Sequence, residues 1–215
     1  MTHNGHIALS FSEFISESVR GCNSSTNVCE GRSSDLMQHH YPDDEVKSAV
    51  WDYVLGYTTS VNNELRKGRK GVAKQVTDLL DRAFTKKIRL DVYRTVDWAF
   101  MENIFGITKD NIGDMAGRVI TDKGYMSTAS SFISPWGSSW LDDELVLHIV
   151  SDEPVSVIDV NSVLPAEDID CEEQSEIILP RGSVLEIIGF KKLKGSKYGT
   201  GGTFFIEAKY AGTGK

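Results

Sequence analysis

Three short runs in this chain combine residue types and spacings that suit chemistry. The first is Asp91-Val92-Tyr93-Arg94-Thr95-Val96, an arginine late in an apolar strand. A guanidinium presents planar donors well shaped for an anion such as a pyrophosphate, although alone this arginine is better explained as an edge-strand charge reaching solvent. The second is Gly124-Tyr125-Met126-Ser127-Thr128-Ala129, a strand ending in small hydroxyl residues, followed by a loop with Phe132, Trp136 and Trp140. Such a hydroxyl can fix a neighbouring carboxylate, and a loop aromatic can stack on a flat heterocycle. A solvated strand end with core aromatics is an equal account of the same run. The third is Glu172-Glu173-Gln174-Ser175-Glu176-Ile177-Ile178-Leu179-Pro180-Arg181-Gly182, which sets carboxylates just before a strongly apolar strand. A charge run in a loop is usually solvated. Alternation along a strand, however, puts Gln174 and Glu176 on one face and Ser175 on the other, so two polar groups would serve two partners in one cleft.

The elements that must position these residues can be read from periodicity. Asp43 and Asp44 follow Pro42, and Val46, Val50, Val54 and Leu55 recur at helical spacing, which predicts an N-capped amphipathic helix. A second short helix is expected over Ser60–Lys67, ended by Gly68, and a third from Val72 to Phe84. From Ile88 the pattern changes. Ile88–Val96 reads as a strand and Trp98–Phe105 as a helix. Strands are then expected over Arg118–Thr121, Gly124–Thr128, Glu144–Val150, Val155–Val160, Ser175–Leu179, Val184–Lys191 and Thr203–Lys209. Helices first and strands later describe an α+β domain, expected as one catalytic unit over residues 43–215. Residues 1–42, with a Gly-, Ser-, Asn- and Thr-rich stretch from Gly21 to Ser34, read as a flexible arm.

Bulk properties narrow the partners. Lys and Arg number 23 against 31 Asp and Glu, for a net charge of -8, which disfavours nonspecific binding of phosphate backbones. Lys191, Lys192, Lys194 and Lys197 form a local basic stretch all the same. Cys22, Cys29 and Cys171 have no metal-ligand spacing, so no metal is expected, and a Cys22–Cys29 bridge requires an oxidising compartment. The first residues lack the basic start and apolar run of a secretory signal, and no stretch is long enough to span a membrane.

The order and character of these runs together resemble the Arg-Ser-Glu mono-ADP-ribosyltransferases. The nearest branch holds the clostridial Rho-modifying exoenzymes and the catalytic subunits of binary toxins. That family carries an arginine on an early strand, a Ser-Thr-Ser motif on a second, and a Gln/Glu-x-Glu motif entering a third. Here they map onto Arg94, Ser127-Thr128-Ala129 and Gln174-Ser175-Glu176. The phrase Glu176-Ile-Ile-Leu-Pro-Arg-Gly182 is also close to the run that begins at the family's catalytic glutamate. Tyr57-Thr58, Val61-Asn62 and Leu65-Arg66 before Gly68 resemble the branch's helical Asn-x-x-Leu-Arg element. Asn62 and Arg66, four apart, would share one side of a helix. The likeness runs over about residues 43–210.

The resemblance implies N-terminal helices packed on a two-sheet β-sandwich that encloses an NAD+ cleft. Arg94 and Arg66 would hold the pyrophosphate with Asn62 assisting, Thr128 would belong to the cofactor-binding set, and Phe132 would stack on the nicotinamide. Glu176 would bind the nicotinamide-ribose 2′-hydroxyl and stabilise the positive sugar as nicotinamide departs, Ser127 would position Glu176, and Gln174 would present the target. It further implies a secreted or injected monomer acting in a host cytosol, or a phage enzyme acting inside the cell. Gln at 174 accompanies transfer to asparagine, glutamine or, in one subgroup, guanine bases. Rho-type GTPases are the first target class, and NAD+ hydrolysis and guanine modification are the rival activities. Two departures stand out: Ala129 replaces the usual last hydroxyl, and the aromatic common just ahead of the third motif is absent.

Overall fold

The computed structural model describes residue 41 and residues 43–55, 59–68, 74–130, 145–168, 175–192 and 204–214. Apart from Tyr41, the expected arm lies outside the described residues, as do Gln174, Phe132, Trp136, Trp140 and all three cysteines. The three expected helices are present as α1 (Glu45–Val54), α2 (Thr59–Arg66) and α3 (Lys74–Arg82). Asp44 caps α1 by accepting from the Lys47 amide at 3.0 Å. The buried face of α1 is shifted from the valine stripe: Ser48, Ala49, Val50, Asp52 and Tyr53 are buried, and Val54 is half-buried.

Nine strands come next among the described residues: β1 (Lys86–Ile88), β2 (Asp91–Val96), β3 (Val119–Asp122), β4 (Met126–Ala129), β5 (Leu145–Val150), β6 (Val155–Asp159), β7 (Glu176–Leu179), β8 (Ser183–Lys192) and β9 (Phe204–Thr213). The expected single strand over Ile88–Val96 divides into β1 and β2, because β1 pairs with β6 while β2 pairs with β5. The expected helix over Trp98–Phe105 is a short α turn, Trp98–Phe100, continued by a π-helix, Met101–Phe105. The wider turn closes on Gly106, whose φ of 66 is open to glycine, and it buries Met101 and Phe105 together. Short helical turns at Ile112–Asp114, Val160–Val163 and Ala166–Asp168 had no periodicity long enough to announce them.

All nine strands join in one curled sheet, in the order β1-β6-β7-β4-β2-β5-β9-β8-β3. Neighbours are antiparallel except β5 and β9. β4 pairs with β7 along its whole length and β2 with β5 along its own. β2 and β4 meet only at Tyr93 and Ala129. The expected sandwich is therefore two halves of one continuous sheet, of four and five strands, linked through that residue pair.

One apolar core fills the space between the halves. Val92, Val96, Leu147, Ile149, Leu185 and Ile206 from the larger half meet Met126, Val157, Ile177 and Leu179 from the smaller. Alternation sends Ile178 and Ile158 to the opposite face, where α1, α2 and α3 cover them with Val50, Val61, Leu79 and Leu80. Each such buried side chain contributes about 1.5–3 kcal/mol by removal from water. Tyr125 joins this second core, stacked on Phe84 at 6.0 Å and edge-on to Tyr53 at 5.8 Å. Its hydroxyl lies 2.7 Å from Asp81 and 3.1 Å from the Thr77 carbonyl, which fastens α3 to the sheet. Burial and the Asp81 carboxylate push its phenol far above the ordinary range.

Tyr125→Phe should destabilise the fold by about 1–2 kcal/mol, the cost of one well-made buried hydrogen bond, because Arg181 still pairs with Asp81. Thermal unfolding checks this; a midpoint equal to that of the wild type would show that the hydroxyl adds nothing to the packed ring.

Candidate active site

Asn62 and Arg66 stand one turn apart on α2 and both reach across to the chain entering β4. The Asn62 Oδ1 accepts from the Tyr125 amide at 2.8 Å. Its Nδ2 donates to the Tyr125 carbonyl at 3.3 Å and to the Tyr53 hydroxyl at 3.1 Å. Because the Tyr125 amide can only donate, the orientation of the Asn62 side chain is fixed. Arg66 donates from Nε and Nη2 to the two oxygens of Asp122, each at 2.9 Å, and from Nη2 to the Tyr125 carbonyl at 3.3 Å. Asp122, 1% exposed, also accepts from the Gly124 amide at 2.9 Å. The approach is so close that a Cβ on Gly124 would lie 2.9 Å from Asn62 Oδ1 and 3.1 Å from Arg66 Nε. A larger residue there would displace the Asn62 and Arg66 side chains from these contacts.

Ser127 on β4 and Glu176 on β7 lie on the same face, with Ala129 directly opposite Glu176. The Ser127 hydroxyl sits 3.2 Å from the Tyr53 hydroxyl and is the polar neighbour that favours the charged form of the Glu176 carboxylate. Asn62, Tyr53, Ser127 and Glu176 thus form one chain of polar contacts running from α2 through α1 to two strands. Arg94 on β2 is 8% exposed, and its charge faces Glu176, Tyr53, Asp122 and Arg66. Its guanidinium and that of Arg66 each lie 5.0 Å from the centre of the Phe100 ring.

Burial decides the protonation of this cluster. It pushes the Glu176 carboxyl up to about 7, against the opposing pull of the Ser127 hydrogen bond and the Arg94 charge. It also lowers the affinity of Arg94 for its proton, and the neighbouring Arg66 adds to that effect. Tyr53 is raised, first by burial, with the Glu176 charge adding to it. The site is a largely buried cluster of two guanidinium groups, one of them paired with Asp122, beside the Glu176 carboxyl that is pushed up to about 7. Such a set suits an anionic ligand whose reacting centre develops positive charge beside the carboxylate.

The structure brings together Arg94, Ser127, Glu176, Asn62 and Arg66. Thr128, expected in the cofactor-binding set, is fully buried, and its hydroxyl donates to the Ile177 carbonyl at 2.6 Å, so it pins β4 to β7. The strand expected over Ser175–Leu179 begins at Glu176, because Ser175 has φ 46 and lies outside the extended run. Gln174 and Phe132 are outside the described residues. Tyr53, Asp122 and Phe100 were missed from sequence. The signal for Tyr53 was a polar-tipped aromatic on the inner face of an amphipathic helix, and for Asp122 an acid just before a glycine that cannot carry a side chain. Among the described residues, no group of three or more His, Cys, Asp or Glu could hold a metal, and no helix is long and apolar enough to cross a membrane.

A family profile described as ADP-ribosyltransferase exoenzyme matches residues 33–204. The chain belongs to this family, and it is an NAD+-dependent mono-ADP-ribosyltransferase of the toxin type. Among solved structures it is similar in fold to Plx2a, an ADP-ribosyltransferase toxin from Paenibacillus larvae, at 20% identity over 79% of this chain and 87% of that one, with a TM-score of 0.59. It is likewise similar to C3larvin toxin from the same organism, at 20% identity over 78% and 95% of the two chains, TM-score 0.57. The enzymatic component C2-I of the Clostridium botulinum C2 toxin matches at 14% identity over 79% of this chain and 43% of that chain, TM-score 0.57. Among curated proteins, no match was found.

Two outcomes are expected from the Glu176 environment. The folded chain holds a proton between pH 4.5 and about 7 that the unfolded chain has released, so this group favours folding at low pH and loses that effect as pH rises through 7. Glu176→Gln, neutral throughout, should therefore melt above the wild type at pH 8 and level with it near pH 4.5. Equal midpoints at pH 8 would mean that the buried carboxylate carries no penalty. In the wild type, transfer should rise with pH along a limb centred near 7. Ser127→Ala removes a contact that holds this value down, so the limb should move to higher pH and kcat/KM at pH 7 fall about tenfold. An unmoved limb would detach Ser127 from the titrating group.

Proposed function

We propose that the chain transfers ADP-ribose from NAD+ to an asparagine or glutamine side chain of a host protein, with release of nicotinamide. A Rho-type GTPase is the first target, and the enzyme acts as a monomer delivered to the host cytosol. The observation that carries this reading is the buried Glu176 carboxylate, braced by Ser127 and lying within the field of Arg94. The preference for an amide target rests on the Gln174-Ser175-Glu176 pattern.

The residues present fit the co-substrate. Arg94 supplies positive charge for its diphosphate, joined by Arg66, whose charge Asp122 offsets in part, with Asn62 holding Tyr125 in register. Glu176 accepts from the 2′-hydroxyl of the nicotinamide ribose, and its negative charge offsets the positive charge that grows on C1′ as the bond to nicotinamide lengthens. The C1′–N1 bond breaks with its electron pair going to the pyridine nitrogen, so nicotinamide leaves neutral. The target amide nitrogen forms the new bond to C1′, and the proton it loses passes to solvent water. Ser127 keeps the carboxylate aimed at the sugar, and Thr128 maintains the strand pairing beneath it. Gln174 presents the target amide, and Phe132 covers the nicotinamide face. A desolvated carboxylate suits this work, because a charge unshielded by water acts more strongly on a developing cation.

The test is transfer from labelled NAD+ into host-cell lysate, wild type beside Glu176→Gln, with protease and nuclease treatment afterwards. A discrete protease-sensitive band that is lost in the variant is the expected result, with modification of an Asn or Gln found by peptide mapping. Nuclease-sensitive label would replace the protein target with a guanine base. Nicotinamide release without label would make water the acceptor.

A further inference from the structure

Two largely buried guanidinium groups beside each other repel, and the fold must hold them together before any anion arrives. Asp122 answers part of this by its paired contact with Arg66. A carboxylate has a drawback in that role, since it neutralises the charge that a diphosphate needs. An aromatic face does not. It attracts a cation through the ring quadrupole, and a guanidinium lying over the ring keeps its N–H edges directed outward in its own plane.

We propose that Phe100 is a positioning residue of the NAD+ diphosphate clamp, its ring being the shared surface against which Arg66 and Arg94 are aligned. The inference rests on the placement of the diphosphate at those two arginines. Both guanidinium carbons lie 5.0 Å from the ring centre, although Arg66 comes from α2 and Arg94 from β2. The ring itself is held from behind. Phe105, 8% exposed, meets it edge-on at 5.5 Å and 82°, and the Phe100 amide donates to the Asp97 cap at 2.5 Å. Phe100 stands where the α turn gives way to the π-helix, and the wider turn carries Phe105 beneath the ring. The arrangement supplies alignment without cancelling charge, which is what separates Phe100 in function from Asp122.

The clamp is tested by NAD+ binding, measured by calorimetry in the Glu176→Gln background so that turnover does not intervene, and by KM and kcat with otherwise wild-type enzyme. Phe100→Leu keeps apolar bulk and removes the ring. It should weaken NAD+ binding and raise KM about tenfold, with kcat at saturating NAD+ changed less than about twofold. Phe100→Tyr retains the ring and should bind within about twofold of the parent. Unchanged affinity in the leucine variant overturns the proposal. So does an equal loss in both variants, which would assign the effect to packing. Failure of the parent chain to bind NAD+ at all would overturn the functional reading and the clamp with it, whereas binding that survives Phe100→Leu overturns the clamp alone.

Discussion

The Asn62 side-chain amide clasps α2 to the chain entering β4, the strand that carries Ser127. Asn62 satisfies both the N–H and the C=O of Tyr125, so it takes the place a neighbouring strand would have at the start of β4. It sets how far α2 stands from the strand, hence where Arg66 can reach, and it leaves one amide hydrogen for Tyr53. Gly124 is the steric counterpart: a Cβ there would press on the Asn62 amide and the Arg66 guanidinium and push them off their partners.

From that point the electrostatics have a consistent logic. Burial is the dominant influence on Glu176, Tyr53 and Arg94 alike, and neighbouring charges only moderate it. A carboxylate in water would be easier to ionise and weaker in its effect on a developing cation. The fold accepts an unfavourable ionisation in return for a strong field, and keeps it tolerable with Ser127 and the Arg94 charge.

Much of this was legible in the sequence where local rules decide the outcome. The Asp44 cap, the one-turn spacing of Asn62 and Arg66, and the apolar strand over Ile177, Ile178 and Leu179 follow from local residue type and spacing. The α+β class came from the order of those patterns. The ADP-ribosyltransferase family came from motif order. What escaped was set by pairs remote in the chain. Tyr53 meets Ser127 across 74 positions and Arg66 meets Asp122 across 56, and no window of sequence brings such partners into view. Ser175 escaped for a different reason: a left-handed serine has no compositional mark, and period-2 reasoning assumes an extended backbone throughout.

The lone pairing of Tyr93 with Ala129 makes the sheet a seam at the place where chemistry is organised. Arg94 belongs to one margin of that seam, while Ser127 and Glu176 belong to the other. Their separation is therefore not dictated by a backbone ladder, which would fix it rigidly. It is dictated by interdigitation of Val92, Leu147, Met126 and Leu179 beneath. The hydrocarbon interior acts here as a gauge block, and its dimensions become the spacing between cation and carboxylate.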